Sequence, residues 1–149
     1  MSRIKVIANN LVKKYNTRNP YELCDYLNIP VLYEPLGNIK GLFQNALDIP
    51  IIHLNSNFSK EELKPVLAHE LGHALLHNNF NVCFLKNYTF SVTDKYENEA
   101  NIFASHLLIS DEDLNDYSSE YEYLTIEQLS KHFFVPEEFI MYKMREQFI

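Results

Sequence analysis

The stretch from residue 67 to 77 constrains the fold more than any other part of the chain, because it fits a helix and is apolar on nearly every side. Within it, His69 and His73 lie four residues apart, and Glu70 directly follows the first histidine. Residues four apart share one face of an α-helix, about 6 Å apart along its axis, so both imidazoles can reach one metal ion. Buried imidazoles need partners, and we therefore predict a metal site on a central helix.

The residue types in this pattern are those of metal-assisted hydrolysis. Two neutral imidazoles suit Zn²⁺, which takes a third protein ligand in catalytic sites and leaves a fourth position open for water. Zinc lowers the pKa of that water to about 7, and Glu70 is placed to accept its proton and pass it to a leaving amine. The motif therefore predicts peptide hydrolysis, with Zn²⁺ as cofactor and Glu70 as general base.

His77 continues the four-residue spacing and is the first alternative for a third ligand. A metal held between His69 and His73 lies roughly one further turn back along the axis, so a straight helix cannot bring all three rings onto one ion. We expect His77 to interact instead with the free carbonyls at the helix end. The third ligand must then come from another segment.

A second helical pattern, from residue 94 to 109, offers carboxylates. Glu97 and Glu99 point in nearly opposite directions at 100° per residue, so only one of them can be the ligand. Two alanines on the face of Glu97 would allow close approach to the first helix, and Asn101 could hydrogen-bond a histidine ligand. These features favour Glu97, although Glu97 also fits a helix start, and Glu99 would serve if the helix began later. His106 is expected to face away from the metal.

Length and charge exclude several classes of protein. With 149 residues the chain can bury a core without disulfides, and we expect one domain. The formal net charge of −7 disfavours direct binding to nucleic acid or to anionic membranes, and no apolar run approaches the roughly 18 residues of a membrane span. The basic residues near the start are interpreted as a solvated helix face: Arg3, Lys5, Lys13, Lys14 and Arg18.

The two cysteines, Cys24 and Cys83, show no paired spacing, and no signal segment opens the sequence. We therefore expect a cytoplasmic protein with reduced thiols, and interpret both cysteines as structural or incidental. A monomer is expected.

The segment 1–58 is predicted to hold helices and a small sheet. Helical spacing covers residues 3 to 15, and a second helix ends near residue 28. Three strands, in a mixed or antiparallel sheet, are predicted at residues 29 to 34, 39 to 44 and 49 to 54. A three-stranded sheet leaves an edge exposed, and the edge at Leu42 and Phe43 could pair with an extended substrate backbone.

The segment 59–109 is predicted to hold the metal-binding helices, and 110–149 a C-terminal helical pair. A capping-box pattern at Ser59 starts the central helix, and we expect Pro65 to kink it or to make it restart. The aromatic stretch from residue 78 to 93 is predicted to be a long loop, which forms either the wall of a cleft or a packed part of the surface. The C-terminal pair has too few basic residues for DNA and is interpreted as a packing or substrate-docking pair. The fold class is therefore α+β.

Two segments resemble those of a known family: His-Glu-Leu-Gly-His at residues 69 to 73, and Glu-Asn-Glu-Ala-Asn-Ile-Phe-Ala-Ser-His-Leu-Leu at residues 97 to 108. They resemble the ImmA/IrrE family of bacterial metallopeptidases, and the resemblance covers most of the chain. The sequence departs from the family where Ile109 and Ser110 replace Met-Pro, and where His106 replaces a common acid. These departures spare the proposed ligands.

The resemblance implies a zincin-like fold of the gluzincin type. It also implies a zinc-dependent endopeptidase that cleaves a helix-turn-helix transcriptional repressor, often encoded by phages or mobile elements, and so relieves repression. It places zinc on His69, His73 and Glu97, with Glu70 as the base.

A competing hypothesis is a non-catalytic regulator that binds a repressor or another protein, with zinc stabilising its fold. The reason for this hypothesis is that the sequence does not show which residue would stabilise the oxyanion that develops during peptide hydrolysis. Tyr88 and Tyr96 are the candidates.

Overall fold

The computed structural model describes residues 2–77, 90–120 and 124–147, and it has the expected α+β architecture. The helices in these ranges are α1 (Arg3–Tyr15), α2 (Pro20–Tyr26), α3 (Lys60–Leu76), α4 (Phe90–Leu108), α5 (Asp111–Glu120), α6 (Ile126–Phe133) and α7 (Glu137–Gln147). The strands are β1 (Val31–Glu34), β2 (Gly41–Ala46) and β3 (Ile49–Asn55). Of the predicted aromatic loop, residues 78–89 lie outside the described residues, whereas 90–93 belong to α4.

The sheet is mixed, with the order β1-β3-β2. β1 runs parallel to β3, and β2 pairs antiparallel on the other side, so β2 is an edge strand of this sheet. Phe43 and Ile52 are register partners and are buried in the core. On the other face His53 hydrogen-bonds Glu34 of β1 and Gln44 of β2, which ties the three strands together. The sheet therefore presents one face to the helices and keeps a polar link on the other.

Helix α3 begins at the predicted capping box: Ser59 accepts a hydrogen bond from the backbone N–H of Glu62, whose side chain accepts one from the N–H of Ser59. The helix then runs without a break from Lys60 to Leu76, so the restart expected at Pro65 does not occur. The carbonyl that loses its partner at Pro65 belongs to Glu61, an exposed residue of the first turn. Water can satisfy that carbonyl, which explains why the proline is tolerated.

The centre of the core lies where α3 meets α4 and the strands β2 and β3. Leu67 and Leu71 of α3 are fully buried, as are Phe103 and Leu107 of α4 and Leu54 of β3. The two helices that hold the predicted ligands are therefore those that the rest of the chain surrounds.

Two predictions from the sequence, the absence of a membrane span and the structural role of the cysteines, can be compared with the structure. Within the described ranges, no helix is both long and apolar enough to cross a bilayer. Cys24 is a buried free cysteine, and burial raises the pKa of its thiol to about 12, which fits a structural role. Cys83 lies outside the described residues.

The prediction that the basic residues near the start of the chain form a solvated helix face is wrong for Lys5 and Arg18. Arg18 Nη1 donates hydrogen bonds to the carbonyl oxygens of His106 (3.0 Å) and Leu107 (3.1 Å), at the C-terminus of α4. The last carbonyls of a helix lack partners within it and form the negative end of its dipole, which favours a cation there. Lys5 Nζ forms an ion pair with Asp111 Oδ2 at 3.0 Å.

A buried charge cluster holds α7 against α4. Lys143 is only 2% exposed, and its Nζ donates to Asp111 Oδ1 (2.6 Å) and to Nδ1 of His106 (3.2 Å). Nε2 of His106 lies 3.8 Å from Glu146 Oε2. Burial alone would raise the pKa of Asp111, but hydrogen bonds from Lys143 and Lys5 hold it well below its ordinary value. Because its ammonium group is enclosed, Lys143 is not available to a nucleic-acid surface.

The cluster predicts a pH dependence of stability that depends on His106. Burial, with the charges of Lys143 and Lys5, lowers the pKa of His106 from 6.5 to about 3. As the pH falls below 6.5, the unfolded chain gains a proton here that the folded chain does not bind, so stability is lost. Between pH 7 and pH 5, we expect the free energy of unfolding to fall by about 1–2 kcal/mol less in His106→Asn than in the wild type. Urea unfolding at the two pH values measures this difference. Equal losses in both proteins would contradict this.

Candidate metal centre

The two helices that contain the predicted ligands, α3 and α4, approach each other closely at Gly72. A Cβ atom built on Gly72 would lie 3.1 Å from a ring carbon of Phe103, and 3.2 Å from both the Cα and the carbonyl oxygen of Ala100. Ala100 and Ala104, the small residues expected to allow this approach, are fully buried. The glycine inside the motif therefore has a packing role, which the motif pattern alone did not reveal.

The approach of α4 to α3 brings the three predicted ligands together. Glu97 Oε2 lies 3.0 Å from Nε2 of His69, and Glu97 Oε1 lies 3.0 Å from Nε2 of His73. The two Nε2 atoms are 3.2 Å apart, and one ligand atom from each residue falls within a 4.8 Å cluster. His73 is buried, whereas His69 and Glu97 are half-buried. These three residues could hold one metal ion at the side of the helix pair.

The ring of His69 is held from its other side by Asn101. His69 Nδ1 lies 2.6 Å from Asn101 Oδ1, the contact that the helical spacing predicted. Because an amide oxygen only accepts, Nδ1 must carry the proton, and Nε2 then offers a lone pair. Asn101 Nδ2 in turn donates to Glu138 Oε1 of α7 at 3.3 Å. The C-terminal helical pair thus contributes to the orientation of His69.

His77 has a different role from the one expected. Its backbone N–H caps α3 by donating to the carbonyl of His73, but its ring does not serve the helix end. Instead its Nδ1 lies 3.0 Å from Nδ1 of His73, and the ring packs at 4.3 Å from that of Tyr96. Burial lowers the pKa of His77 to about 4, with a further contribution from His73. A neutral His77 can therefore accept the Nδ1 proton of His73, which fixes the tautomer of that ring as Asn101 fixes the other.

The donor set fits Zn²⁺. With both Nδ1 protons engaged, two imidazole lone pairs and a carboxylate point at one place, an arrangement of acceptors that a cation stabilises. Ligand bonds of about 2.0–2.1 Å in tetrahedral geometry put ligand atoms roughly 3.4 Å apart, close to the separations observed. Although burial alone would lower the pKa of His69, hydrogen bonding and charge from Glu97 and the charge of Glu70 raise it overall. Hydrogen bonds from both histidines hold the pKa of Glu97 well below its ordinary value despite burial.

The alternative ligands lie elsewhere. Helix α4 begins at Phe90, before the predicted start, so the interpretation of Glu97 as a helix-start residue is wrong. Glu99 Oε2 lies 3.8 Å from Nε2 of His77 and is not part of the three-residue cluster. His106, as expected, faces away from the centre, toward Lys143.

Glu70, the predicted base, is 8% exposed and adjoins His69 in sequence. Of the two aromatic candidates for oxyanion stabilisation, Tyr96 packs on His77, and Tyr88 lies outside the described residues.

Comparison with known proteins places this chain in a family. Residues 24–145 match the peptidase M78 family, described as the IrrE N-terminal-like domain. The chain belongs to this family. It is 35% identical over 145 residues to "Metallopeptidase ImmA" of Bacillus subtilis (strain 168), covering 96% of this chain and 85% of that relative. It is 43% identical over 117 residues to "Uncharacterized immunity region protein 2" of Bacillus phage phi105, covering 78% of this chain and 74% of that relative.

A solved structure described as a Mycobacterium tuberculosis transcriptional regulator shares the fold of this peptidase M78 member. The TM-score is 0.64 at 13% identity, and the match covers 96% of this chain and 55% of that chain. The present chain therefore spans about half of the regulator, and the likeness concerns the fold alone. Both the resemblance to the ImmA/IrrE metallopeptidases and the zincin-like α+β fold class predicted from the sequence are confirmed.

The contact at Gly72 predicts a destabilising Gly72→Ala substitution. In an ordinary helix interior, alanine is more stabilising than glycine by up to about 1 kcal/mol. Here the added Cβ meets backbone atoms of Ala100 that cannot rotate away, so we expect a loss of about 1–3 kcal/mol. Urea unfolding of the metal-free protein measures this change. A variant as stable as the wild type, or more stable, would show that the helices can separate without cost.

Proposed function

We propose that this chain is a zinc-dependent endopeptidase that hydrolyses a peptide bond in a protein substrate. In this proposal His69, His73 and Glu97 are the zinc ligands, and Glu70 is the catalytic base. The observation that supports it is the convergence of three acceptor atoms from two helices, beside a buried glutamate that follows the first ligand. Membership of a metallopeptidase family agrees with it.

The residues divide the chemistry between them. Zinc, when bound, supplies Lewis acidity that makes a water molecule acidic enough to lose a proton near neutral pH. Glu70 accepts that proton as the water attacks the substrate carbonyl, and then donates it to the leaving amine. Asn101 and His77 keep the two imidazole rings in the orientation and tautomer that the ligands require.

The edge strand β2 is the proposed contact for the substrate backbone. Phe43 of β2 stacks on His73 with ring centroids 6.5 Å apart, so this strand lies beside the metal centre. Its outer edge offers backbone groups to which an extended peptide can add as a further strand.

A helix-turn-helix transcriptional repressor is the proposed protein substrate. The resemblance to the ImmA/IrrE family implies such a substrate, and the name of the phage relative refers to an immunity region. The C-terminal helical pair and β2 flank the metal centre and are the surfaces that we propose to meet it.

Metal binding tests the ligand assignment. We expect His69→Ala to abolish tight zinc binding, and Asn101→Ala to weaken it about 10–100-fold by releasing the ring of His69. Competition with a chromophoric zinc chelator measures both affinities. His132→Ala is the matched control, because His132 is an exposed histidine on α6, outside the cluster. Wild-type zinc affinity in His69→Ala would contradict the assignment.

The role of Glu70 is tested by Glu70→Gln, which keeps the shape of the side chain and removes the base. We expect zinc to remain bound and the cleavage rate to fall about 10²–10⁴-fold. The test substrate is a helix-turn-helix repressor chosen from the genes that neighbour the one encoding this chain, and cleavage products are identified by mass spectrometry. Glu112→Gln, which removes an exposed carboxylate on α5, should cleave at the wild-type rate.

Two outcomes would change the conclusion. Cleavage by Glu70→Gln at the wild-type rate would exclude Glu70 as the base. Release of the repressor from its operator without any cleavage product would favour the non-catalytic, zinc-stabilised regulator.

A further inference from the structure

Two neighbouring cavities, which together we call the groove, lie between the N-terminal half of α3 and the C-terminal helices. Its inner part is a cavity of about 180 Å³, which we call the inner pocket, lined by Pro65, Val66, His69, Asn101, Pro136 and Phe139. Pro65 and Pro136 also line an outer cavity of about 410 Å³, which extends to Phe134. The two cavities are therefore adjacent, and a proposed zinc ligand, His69, lines the inner one.

The inner pocket has the size and lining for one apolar side chain. Apart from His69 and Asn101 its walls are hydrocarbon, from Val66, Phe139 and two prolines. An apolar cavity of about 150 Å³ accommodates benzene, so this volume suits a side chain such as Leu, Met or Phe. Because His69, a proposed zinc ligand, forms part of the wall, a side chain seated here would belong to a residue close to the bond that is cut.

The position of Val66 is fixed by the strand above it. A Cβ atom built on Gly41 would come within 2.7 Å of Val66 Cγ1, so β2 passes directly over this part of α3. The inner pocket therefore lies below the edge strand proposed to hold the substrate backbone. In a strand, alternate side chains point to one face, so a peptide added to β2 would direct every second side chain toward α3.

The outer cavity is suited to a polypeptide. Charged residues of both signs line it, namely Lys40, Lys131, Glu61 and Glu62, whereas a nucleic-acid groove would be uniformly basic. Phe134 forms part of its wall at 68% exposure, in the left-handed conformation with a φ of 58°. This conformation ends α6, where the backbone N–H of Phe134 donates to the carbonyl of Ser130. The exposed ring adds apolar surface to this wall, which a bound polypeptide could bury.

We propose that this groove binds the substrate polypeptide on one side of the scissile bond, and that the inner pocket selects a large apolar side chain flanking that bond. This inference rests on the proposed endopeptidase function and adds its substrate preference. Val66 and Phe139 are the specificity-determining residues, and Phe134 contacts the substrate further from the cut.

Binding is tested apart from cleavage, with the zinc-loaded Glu70→Gln protein. The probes are short fluorescein-labelled peptides that differ only in a central Leu or Ala, followed by fluorescence anisotropy. Burying the larger side chain should make the Leu peptide bind about tenfold more tightly or better. Val66→Phe, added to Glu70→Gln, fills the inner pocket and should remove this preference while leaving zinc content unchanged. Leu32→Phe is the control, since Leu32 is 47% exposed on β1, at the opposite edge of the sheet.

Cleavage gives a second measure of the same preference. Wild-type protein is incubated with a peptide library, and the cut sites are mapped by mass spectrometry. We expect Leu, Met and Phe to be enriched at one position flanking the cut. Val66→Ala, which enlarges the inner pocket and removes little from the core, should shift that enrichment from Leu toward Phe.

The outcomes separate the two proposals. Leu-dependent binding that Val66→Phe abolishes, without cleavage by the wild type, would support the groove and overturn the endopeptidase. Cleavage without apolar enrichment, or an unchanged preference in Val66→Phe, would overturn the groove and leave the endopeptidase standing. If Val66→Phe alters only the oligomeric state, measured by light scattering, the groove is an interface between copies and the proposal is wrong.

Discussion

The close contact between α3 and α4 at Gly72 is the constraint on which the site depends. Two donor atoms come from α3 and the third from α4, so the separation of the helix axes sets whether one ion can touch all three. A glycine facing Ala100 removes the side chains that would otherwise hold the helices apart. The proposed metal centre therefore depends on helix packing, and zinc in turn would add a cross-link between two segments that are distant in sequence.

Support for the ligands extends beyond this helix pair. Each imidazole is held at Nδ1 by a neighbouring side chain, Asn101 for one ring and His77 for the other, so neither ring is free to turn away. Asn101 is itself held by Glu138. The buried Lys143 then fixes α7 through its contacts with α4 and α5. The orientation of the His69 ring thus depends on side chains of α4 and α7 that lie outside the three-residue cluster. Such a network is specific because polar contacts are stronger in a low-dielectric interior.

The sequence predicted what depends on local periodicity and missed what depends on distant contacts. Helical spacing placed Glu97 and Asn101 on the side of α4 that meets the histidines, because both facts follow from 100° per residue. The same geometry predicted that His77 is not a ligand, but it did not predict the contact of His77 with His73, which depends on burial against Tyr96. Likewise, an arginine near the start of the chain gives no local indication that its partners lie at the end of α4. Only the assembled fold brings such groups together.

Arg18 also connects the N-terminal helices to the helix that contains Glu97. Because it binds the terminal carbonyls of α4, the position of that helix along its axis depends on residues that lie far from the metal. If the proposed site binds zinc, metal binding and the docking of the first helices would be linked equilibria, and each would stabilise the other by the same coupling free energy. The N-terminal segment would then contribute to the stability of the proposed metal centre, although none of its residues belongs to the three-residue cluster.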